Sequence, residues 1–497
     1  MNANLPVSAA VQLSPASSTT AGKTFGKAFW RWLVLVMAVA VLVRAGLWLA
    51  YPLAESNDTP TYRHLSNSLR NRGFERYNGM RTPGYPFLLM LTRSDSVTYA
   101  AQLTLGALTT LLVFYIAWGL TRRAWFAGLM GLAHTLNLGQ LFFEASLLTE
   151  SLATFLLFVV LAGLVFIWEM ENRDTGNIGK QVTKHMGTPP FTFSLGSLPS
   201  SLGAGFGTSF PVSLLPCLLL YTLIGLAAAA LAMVRPLFAP IALWGAFFLV
   251  FFWRSATWKT RWLAAILTAL PLVITLAVWM NFIYVRFKIV GLDSMGGYHL
   301  VNHVSSFFER APEEYADIRD TFLEFRATRM RRTGAAVNTI WDAIPTLMEQ
   351  EKRNYYGLAR VMGTISQRLI TENPDLYAKN LVLGWWWFWR VGVFWLPQTI
   401  EPAMLRPALT SLMLLQRMAL FGVNMLFLAG SLALLWPKIR ARLNPPLFIW
   451  FAASSVWVIS ILQTLAEHGD NARFLAPMQT LVVIVVGWGI TRLVSRS

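Results

Sequence analysis

The residues with chemical potential gather in a few short segments of an otherwise greasy chain. Glu55-Ser-Asn-Asp58-Thr-Pro60-Thr-Tyr62-Arg-His64 is followed by Arg81-Thr-Pro83-Gly84-Tyr85-Pro86, and further on stand Glu144, Glu150, Arg235, His468 and Arg473. Carboxylates with hydroxyl-bearing neighbours serve proton transfer, and guanidiniums gathered in a low-dielectric place serve a developing oxyanion such as a phosphate. Asp58 followed by Pro60 reads as a helix start, and Asp58 and Tyr62, four apart, then share one face, with Leu65 and Leu69 holding that helix to the bilayer. A plain N-cap role for Asp58 uses the same residues. Glu144 and Glu150 flank a turn between two apolar runs; Glu150 is the stronger candidate, Glu144 the one more readily left in solvent, and each also reads as a solvated loop carboxylate. Arg235 and Arg473 stand at ends of apolar runs, where a helix-terminal or snorkelling cation is the alternative reading. Arg44, inside the first run, either snorkels outward or faces the bundle.

These residues need a membrane scaffold to position them. The 497 residues are 55% apolar and only 13% charged, with a mean hydropathy of +0.50. That composition excludes a soluble globular domain, intrinsic disorder and fibrous repeats. Hydropathy predicts an all-α polytopic membrane protein with about ten spans, near residues 30–50, 98–120, 125–143, 147–168, 213–234, 237–253, 262–284, 408–436, 447–466 and 474–492. The excess of 41 basic over 24 acidic residues, +17, points to no nucleic acid. With a cytoplasmic N-terminus, Arg122, Arg123, the 169–212 loop, Lys259, Arg261, the Lys438–Arg442 cluster and Arg496 all fall inside. That parity requires the Trp-rich stretch from Gly384 to Ile400 to lie in the interface as an aromatic belt or to re-enter. The single cysteine, Cys217, excludes an intramolecular disulfide.

The chain divides by this reading into a cytoplasmic tail (1–28) and an N-terminal membrane core (29–284) containing outer loop 51–97 and the Gly/Ser/Pro-rich cytoplasmic linker 169–212. An extracytoplasmic helical segment (285–407) and the C-terminal membrane helices (408–497) complete it. The third segment has Pro312 near a helix start and an apolar face with Ile318, Phe322 and Phe325, predicting helices on or near the membrane surface and a possible lid. His299 and His303 share a helical spacing but lack a third ligand at zinc-site spacing. His468, in Glu467-His-Gly-Asp470, stands beside Arg473 in sequence as a candidate substrate contact or a plain polar turn.

In this order and sidedness the motifs resemble the membrane-embedded glycosyltransferases of the GT-C fold, which include the protein O-mannosyltransferases and the lipid A aminoarabinose transferase. The resemblance rests on Asp58 with Tyr62, on Pro83-Gly-Tyr-Pro86, on Leu148-Thr-Glu150-Ser-Leu152, on Met233-Val-Arg235-Pro236, on Glu372-Asn-Pro374-Asp-Leu-Tyr377 and on Asn471-Ala-Arg473-Phe-Leu-Ala-Pro477. It implies inverting transfer of a sugar from a polyprenyl-phosphate donor to a hydroxyl of a lipid, glycan or protein acceptor, on the outer face of the membrane. Asn57-Asp58-Thr59 is a glycosylation sequon on that outer loop, where a glycan would block the site, and this favours a bacterial plasma (inner) membrane over the endoplasmic reticulum. For that reaction Asp58 is the expected base, and Tyr62, Arg81, Tyr85, Glu150, Arg235, His468 and Arg473 the expected substrate-binding residues. No cofactor is required, although an Asp58–Glu150 pair would offer a divalent metal two carboxylates. A ligase or transporter of lipid-linked oligosaccharides is the alternative; the absence of an internal repeat disfavours transport.

Overall fold

The computed structural model describes residues 26–181, 214–253, 256–469 and 471–495. Among them all regular structure is helical, with one isolated bridge between Ala54 and Ser146. The N-terminal half contributes α1 (Lys27–Ala50), α2 (Thr59–Arg72), α3 (Gly84–Thr92), α4 (Asp95–Thr121), α5 (Ala124–Thr135), α6 (Leu138–Glu144), α7 (Glu150–Gln181), α8 (Leu214–Val234), α9 (Pro240–Phe251) and α10 (Trp258–Phe287). Next come α11 (Gly296–Val304), α12 (Ala316–Thr333), α13 (Thr339–Gln350), α14 (Tyr355–Glu372) and α15 (Pro374–Phe388). The chain closes with α16 (Arg406–Ala433), α17 (Pro437–Leu443), α18 (Leu447–Ala466), α19 (Asn471–Leu475) and α20 (Gln479–Val494).

Seven helices among the described residues are long and apolar enough to cross a membrane, and Leu218–Val234 and Pro236–Phe251 are shorter apolar helices. The chain is therefore an all-α multi-pass membrane protein. The expected span at 125–143 is not one helix: α5 stops at Thr135, and the Asn137 side chain accepts from the Gln140 backbone N–H at 3.4 Å to start α6 afresh. Apolar content is the same on both sides of the break, so hydropathy does not register it. Of the tail, residues 1–25 lie outside the described residues, and α1 begins at Lys27. Helix α7 runs through Gln181, so the first part of the expected linker is helical; residues 182–213 lie outside the described residues.

The bundle core runs through Val36, Phe114, Phe126, Phe158, Leu161, Ile224, Phe238, Phe451, Leu481 and Trp488. In lipid such a core is held by close packing more than by escape from water. The Trp-rich stretch joins this core instead of forming a belt. It ends α15, where successive side chains turn about 100° apart, so the tryptophans cannot all face one interface. Trp389 is fully buried against Phe427, with ring centroids 5.8 Å apart, Trp385 stacks on Trp457 at 5.7 Å, and only Trp386 is largely exposed.

Helices α11 to α14 make a cap with its own core of Tyr298, Phe308, Ile318, Phe322, Ile340, Leu358 and Met362. Ile318 and Phe322 are thus buried inside the cap, not laid on a membrane surface. The cap rests on the loop between α2 and α3: Ser294 donates its backbone N–H to the Gly79 carbonyl at 2.9 Å, and the Tyr356 hydroxyl donates to the Asn78 carbonyl at 3.1 Å.

Candidate active site

Three backbone devices bring distant segments together. The first is the bridge: Ala54 donates to the Ala145 carbonyl at 2.8 Å and Leu147 donates back to the Ala54 carbonyl at 2.9 Å. The Thr59 hydroxyl adds a bond to the Leu147 carbonyl, so the start of α2 is tied to the turn that precedes Glu150. The second is Gly84, where an added Cβ would stand 2.6 Å from the Met233 carbonyl carbon and oxygen; only glycine lets the start of α3 touch the end of α8 beside Arg235. The third is Gly392, whose added Cβ would stand 2.6 Å from the Ala472 carbonyl oxygen and 2.8 Å from the Arg473 Cα, so the segment after α15 sets the position of α19.

The result is an ionic cluster. Asp58 occupies the N-cap position of α2 but makes no side-chain cap bond; its Oδ1 accepts from Arg81 Nη2 at 2.7 Å and its Oδ2 from Arg473 Nη1 at 2.9 Å. Arg473 also contacts Glu150 through its Nε. Arg235 donates to Glu150 Oε1 at 2.8 Å and to the Thr149 hydroxyl at 2.9 Å, with its guanidinium over the Phe474 ring at 4.6 Å. Three guanidiniums against two carboxylates leave one formal positive charge. The cluster is graded in exposure: Glu150 is fully buried, while the side chains of Asp58 and Arg81 keep 24% and 31% of their surface. Burial pushes the Asp58 carboxyl upward, but Arg81 and Arg473 outweigh it and hold the group at about 2.

Tyr62 lies on the Asp58 face of α2, one turn on, with Arg81 5.9 Å from its ring centroid. Its ring packs edge-on against Tyr85 at 5.0 Å. Tyr85 itself is fully buried and its hydroxyl donates to Gln102 Oε1 at 2.8 Å, so it supports Tyr62 from behind instead of lining a substrate site. Gln102 in turn donates to the carbonyls of Glu144 and Ser146, fixing the turn before Glu150. Leu65 and Leu69 pack on Tyr77, Met233, Trp279 and Ile283, so α2 is held by protein and not by bilayer.

Other expected residues are placed elsewhere. Glu144 is not in solvent: it is fully buried, and Arg44, facing the bundle interior, grips both its oxygens at 2.8 Å while also donating to Thr135. His468 joins no part of the ionic cluster; its ring stacks on Trp387 at 5.0 Å and lies 5.8 Å from His303, because Gly384 of α15 packs directly against it. Burial holds His303 and His468 down at about 4 each, and for His303 the neighbouring His468 adds to the effect. Its neighbour Glu467 instead meets His299 Nδ1 at 3.3 Å, with Asp293 on the far side of that ring at 3.9 Å. Burial disfavours the charged His299, yet Glu467 and Asp293 win and raise it. The Glu372–Tyr377 segment is a joint between α14 and α15, where Asn373 accepts from Arg310 at 2.6 Å.

Thr149, Asp293 and Glu467 are site neighbours that sequence reasoning did not single out as such. Thr149, adjacent to Glu150, and Glu467, adjacent to His468, each carried a local signal; Asp293 carried none.

A divalent metal does not suit the Asp58–Glu150 pair. Arg473 already contacts both carboxylates, and the cluster carries a positive excess before any cation arrives. Among the described residues no group of three or more His, Cys, Asp and Glu is placed to hold a metal. The chain matches no family model, no curated protein and no solved structure.

Proposed function

We propose that this protein is a membrane-embedded glycosyltransferase of the GT-C type. It moves a sugar from a polyprenyl-phosphate donor to an acceptor hydroxyl on the extracytoplasmic face of a bacterial plasma membrane, with inversion. The observation that carries the reading is Asp58 held between Arg81 and Arg473 in a partly exposed cluster with an excess positive charge. A carboxylate locked by two guanidiniums at about 2 is a poor base, and the guanidiniums are occupied. A lipid phosphate entering the cluster resolves both conditions: Arg81 and Arg473 turn to the phosphate oxygens, and Asp58, still surrounded by protein, becomes more basic.

The acceptor oxygen then attacks the anomeric carbon as its proton passes to an Asp58 oxygen. The anomeric C–O bond to phosphate breaks with its electron pair on the phosphate, whose added charge Arg81 and Arg473 stabilise. Glu150, with Arg235 and Thr149, holds Arg473 in position. Tyr62, itself buried and backed by Tyr85, packs beneath the cluster and holds α2 in place, so the expected sugar contact at this ring is replaced by a supporting one.

Asp58→Asn tests this. It preserves shape and removes the base, and transfer of labelled sugar from polyprenyl-phosphate donor is expected to fall by about 10²- to 10⁴-fold. Transfer at the wild-type rate would reject the role. The exchange of partners has its own signature, because kcat/KM reports the free enzyme and kcat the substrate complex. The acid limb of kcat is expected at higher pH than that of kcat/KM, and coincident limbs would exclude the exchange.

A further inference from the structure

A separate cavity of about 480 Å³ opens between the α2–α3 loop, the end of α10 and the start of α14. Its lining includes Arg76, Arg286, Lys288 and Arg360, together with the rings of Phe287 and Tyr356, and no carboxylate. The contrast with the rest of the cap is informative. Arg319, Arg326, Arg329 and Arg368 each meet a carboxylate at 2.6 to 2.8 Å. No carboxylate among the described residues pairs with Arg76, Arg286 or Arg360, and all three are exposed. Like charges gathered around one concavity repel one another and raise the local concentration of anions.

The walls of this cavity are fixed, not loose. Tyr356 hydrogen-bonds the Asn78 carbonyl and packs on Phe287 with centroids 4.6 Å apart, and the Asn354 side chain caps α14 by accepting from Gly357 N–H at 2.8 Å. Tyr77 closes the inner side and donates its hydroxyl to the Arg81 carbonyl at 3.1 Å. Arg286 and Lys288 stand at the end of a helix long and apolar enough to span the bilayer, so the cavity opens at the level of a membrane surface.

We infer that this basic cavity is a second anion site, distinct from the Asp58 cluster, that takes a phosphate-bearing ligand. Guanidiniums pair with two phosphate oxygens at a time, several of them around one cavity suit a multiply charged group better than a single carboxylate, and the volume leaves room for more than one phosphate. The phosphate belongs either to a lipid headgroup in the facing leaflet or to a soluble phosphorylated compound. Through Tyr77 and the Arg81 carbonyl, the occupant sits one hydrogen bond from the loop that carries Arg81.

The test reads binding without sugar transfer, so it stands or falls apart from the transferase reading. The full chain in detergent is titrated calorimetrically with inorganic pyrophosphate. In parallel, the chain in nanodiscs of phosphatidylcholine with a minor share of phosphatidylglycerol is released for native mass spectrometry, to count retained anionic lipid. Arg76→Gln is expected to weaken the relevant interaction about tenfold, and the triple variant R76Q/R286Q/R360Q about 100-fold or more. The lysine triple variant at the same positions, which keeps the charge, is expected to retain most of it. These side chains are exposed and unpaired, so unchanged melting temperatures are expected for all variants. Pyrophosphate binding lost in the glutamine variant supports the site and a soluble ligand; retention of phosphatidylglycerol lost in that variant supports the site and a lipid headgroup. Neither kind of binding by the wild type, or binding that the glutamine triple variant leaves intact, overturns the inference.

Discussion

Two arginine–carboxylate assemblies that include a fully buried glutamate are built on opposite plans. Arg44 and Glu144 form a closed pair: one cation, one anion, two parallel bonds of 2.8 Å, and side chains 4% and 0% exposed. The remaining Arg44 Nη1 donates to the Ala40 carbonyl and the Thr135 hydroxyl, so the group has nothing left to offer a ligand. Asp58, Glu150, Arg81, Arg235 and Arg473 form an open chain of shared charges, with a positive excess and an exposed end at Asp58 and Arg81. A closed neutral pair fixes helices; an open cluster with surplus cation is poised to exchange partners with an arriving anion. Burial and charge partners alone do not separate the two cases, whereas stoichiometry and access do.

The sharpest break in this comparison is between activity and stability. Asp58→Asn, which is expected to remove most transfer, should leave the unfolding midpoint in detergent nearly unchanged, because the site keeps contact with water, the amide oxygen still accepts a hydrogen bond, Arg473 keeps Glu150 and Arg81 keeps its place beside the Tyr62 ring. Arg44→Met should do the reverse, lowering stability by about 3–5 kcal/mol through an unpaired buried carboxylate, with the double variant R44M/E144L recovering much of the loss. A large stability loss in Asp58→Asn, or an Arg44→Met protein as stable as wild type, would erase the distinction.

A smaller effect is expected from Gly392→Ala, which touches no charge. The new Cβ meets the Ala472 carbonyl and the Arg473 backbone, so it should cost about 1–3 kcal/mol by overpacking and reduce transfer by displacing Arg473. The corresponding Gly422→Ala, with open space around it, serves as the silent control. Smaller again is the pH response of the seam between cap and bundle. His303 and His468 titrate near 4 when folded and near 6.5 when unfolded. The unfolded chain therefore binds more protons between those values, and stability is constant above about 6.5 and falls as pH drops toward 4, by about 1 kcal/mol per histidine in the first unit. The double variant H303Q/H468Q should flatten that slope, as read by melting temperature at pH 7.5 and 5.5. The smallest effect belongs to Arg63, an exposed side chain between Glu55 and Asp95; Arg63→Ala should shift stability by less than about 1 kcal/mol.

Much of the candidate site was legible as a set of residues, and little of it as a geometry. Arg81, Arg235 and Arg473 each stand where an apolar run meets a polar loop, which is why one end of a bundle was the natural place for them to meet. Asp58 at a helix start with Tyr62 one turn on is a local pattern, and α2 forms where Pro60 and Gly73 place its ends. Which carboxylate each arginine chooses is not local. Glu144 and Glu150 are six residues apart in similar surroundings, yet one closes on Arg44 and the other shares Arg235 and Arg473. His468 stands five residues before Arg473, yet turns to Trp387.

Composition and hydropathic run length by themselves determined an all-helical chain that crosses a membrane several times, because lipid forces every backbone polar group to be satisfied within its own segment. They also determined that the charged residues gather at span ends, where charge is least costly. Only the tertiary structure decided that the apolar run at 125–143 breaks at Asn137, that the tryptophans wedge into the bundle, and that the cap buries its own core. The physical reason is the same in each case. An apolar side chain is equally content against lipid or against protein, and a buried charge is content with any partner of opposite sign within reach, so hydropathy and charge narrow the choices and contact distance makes them.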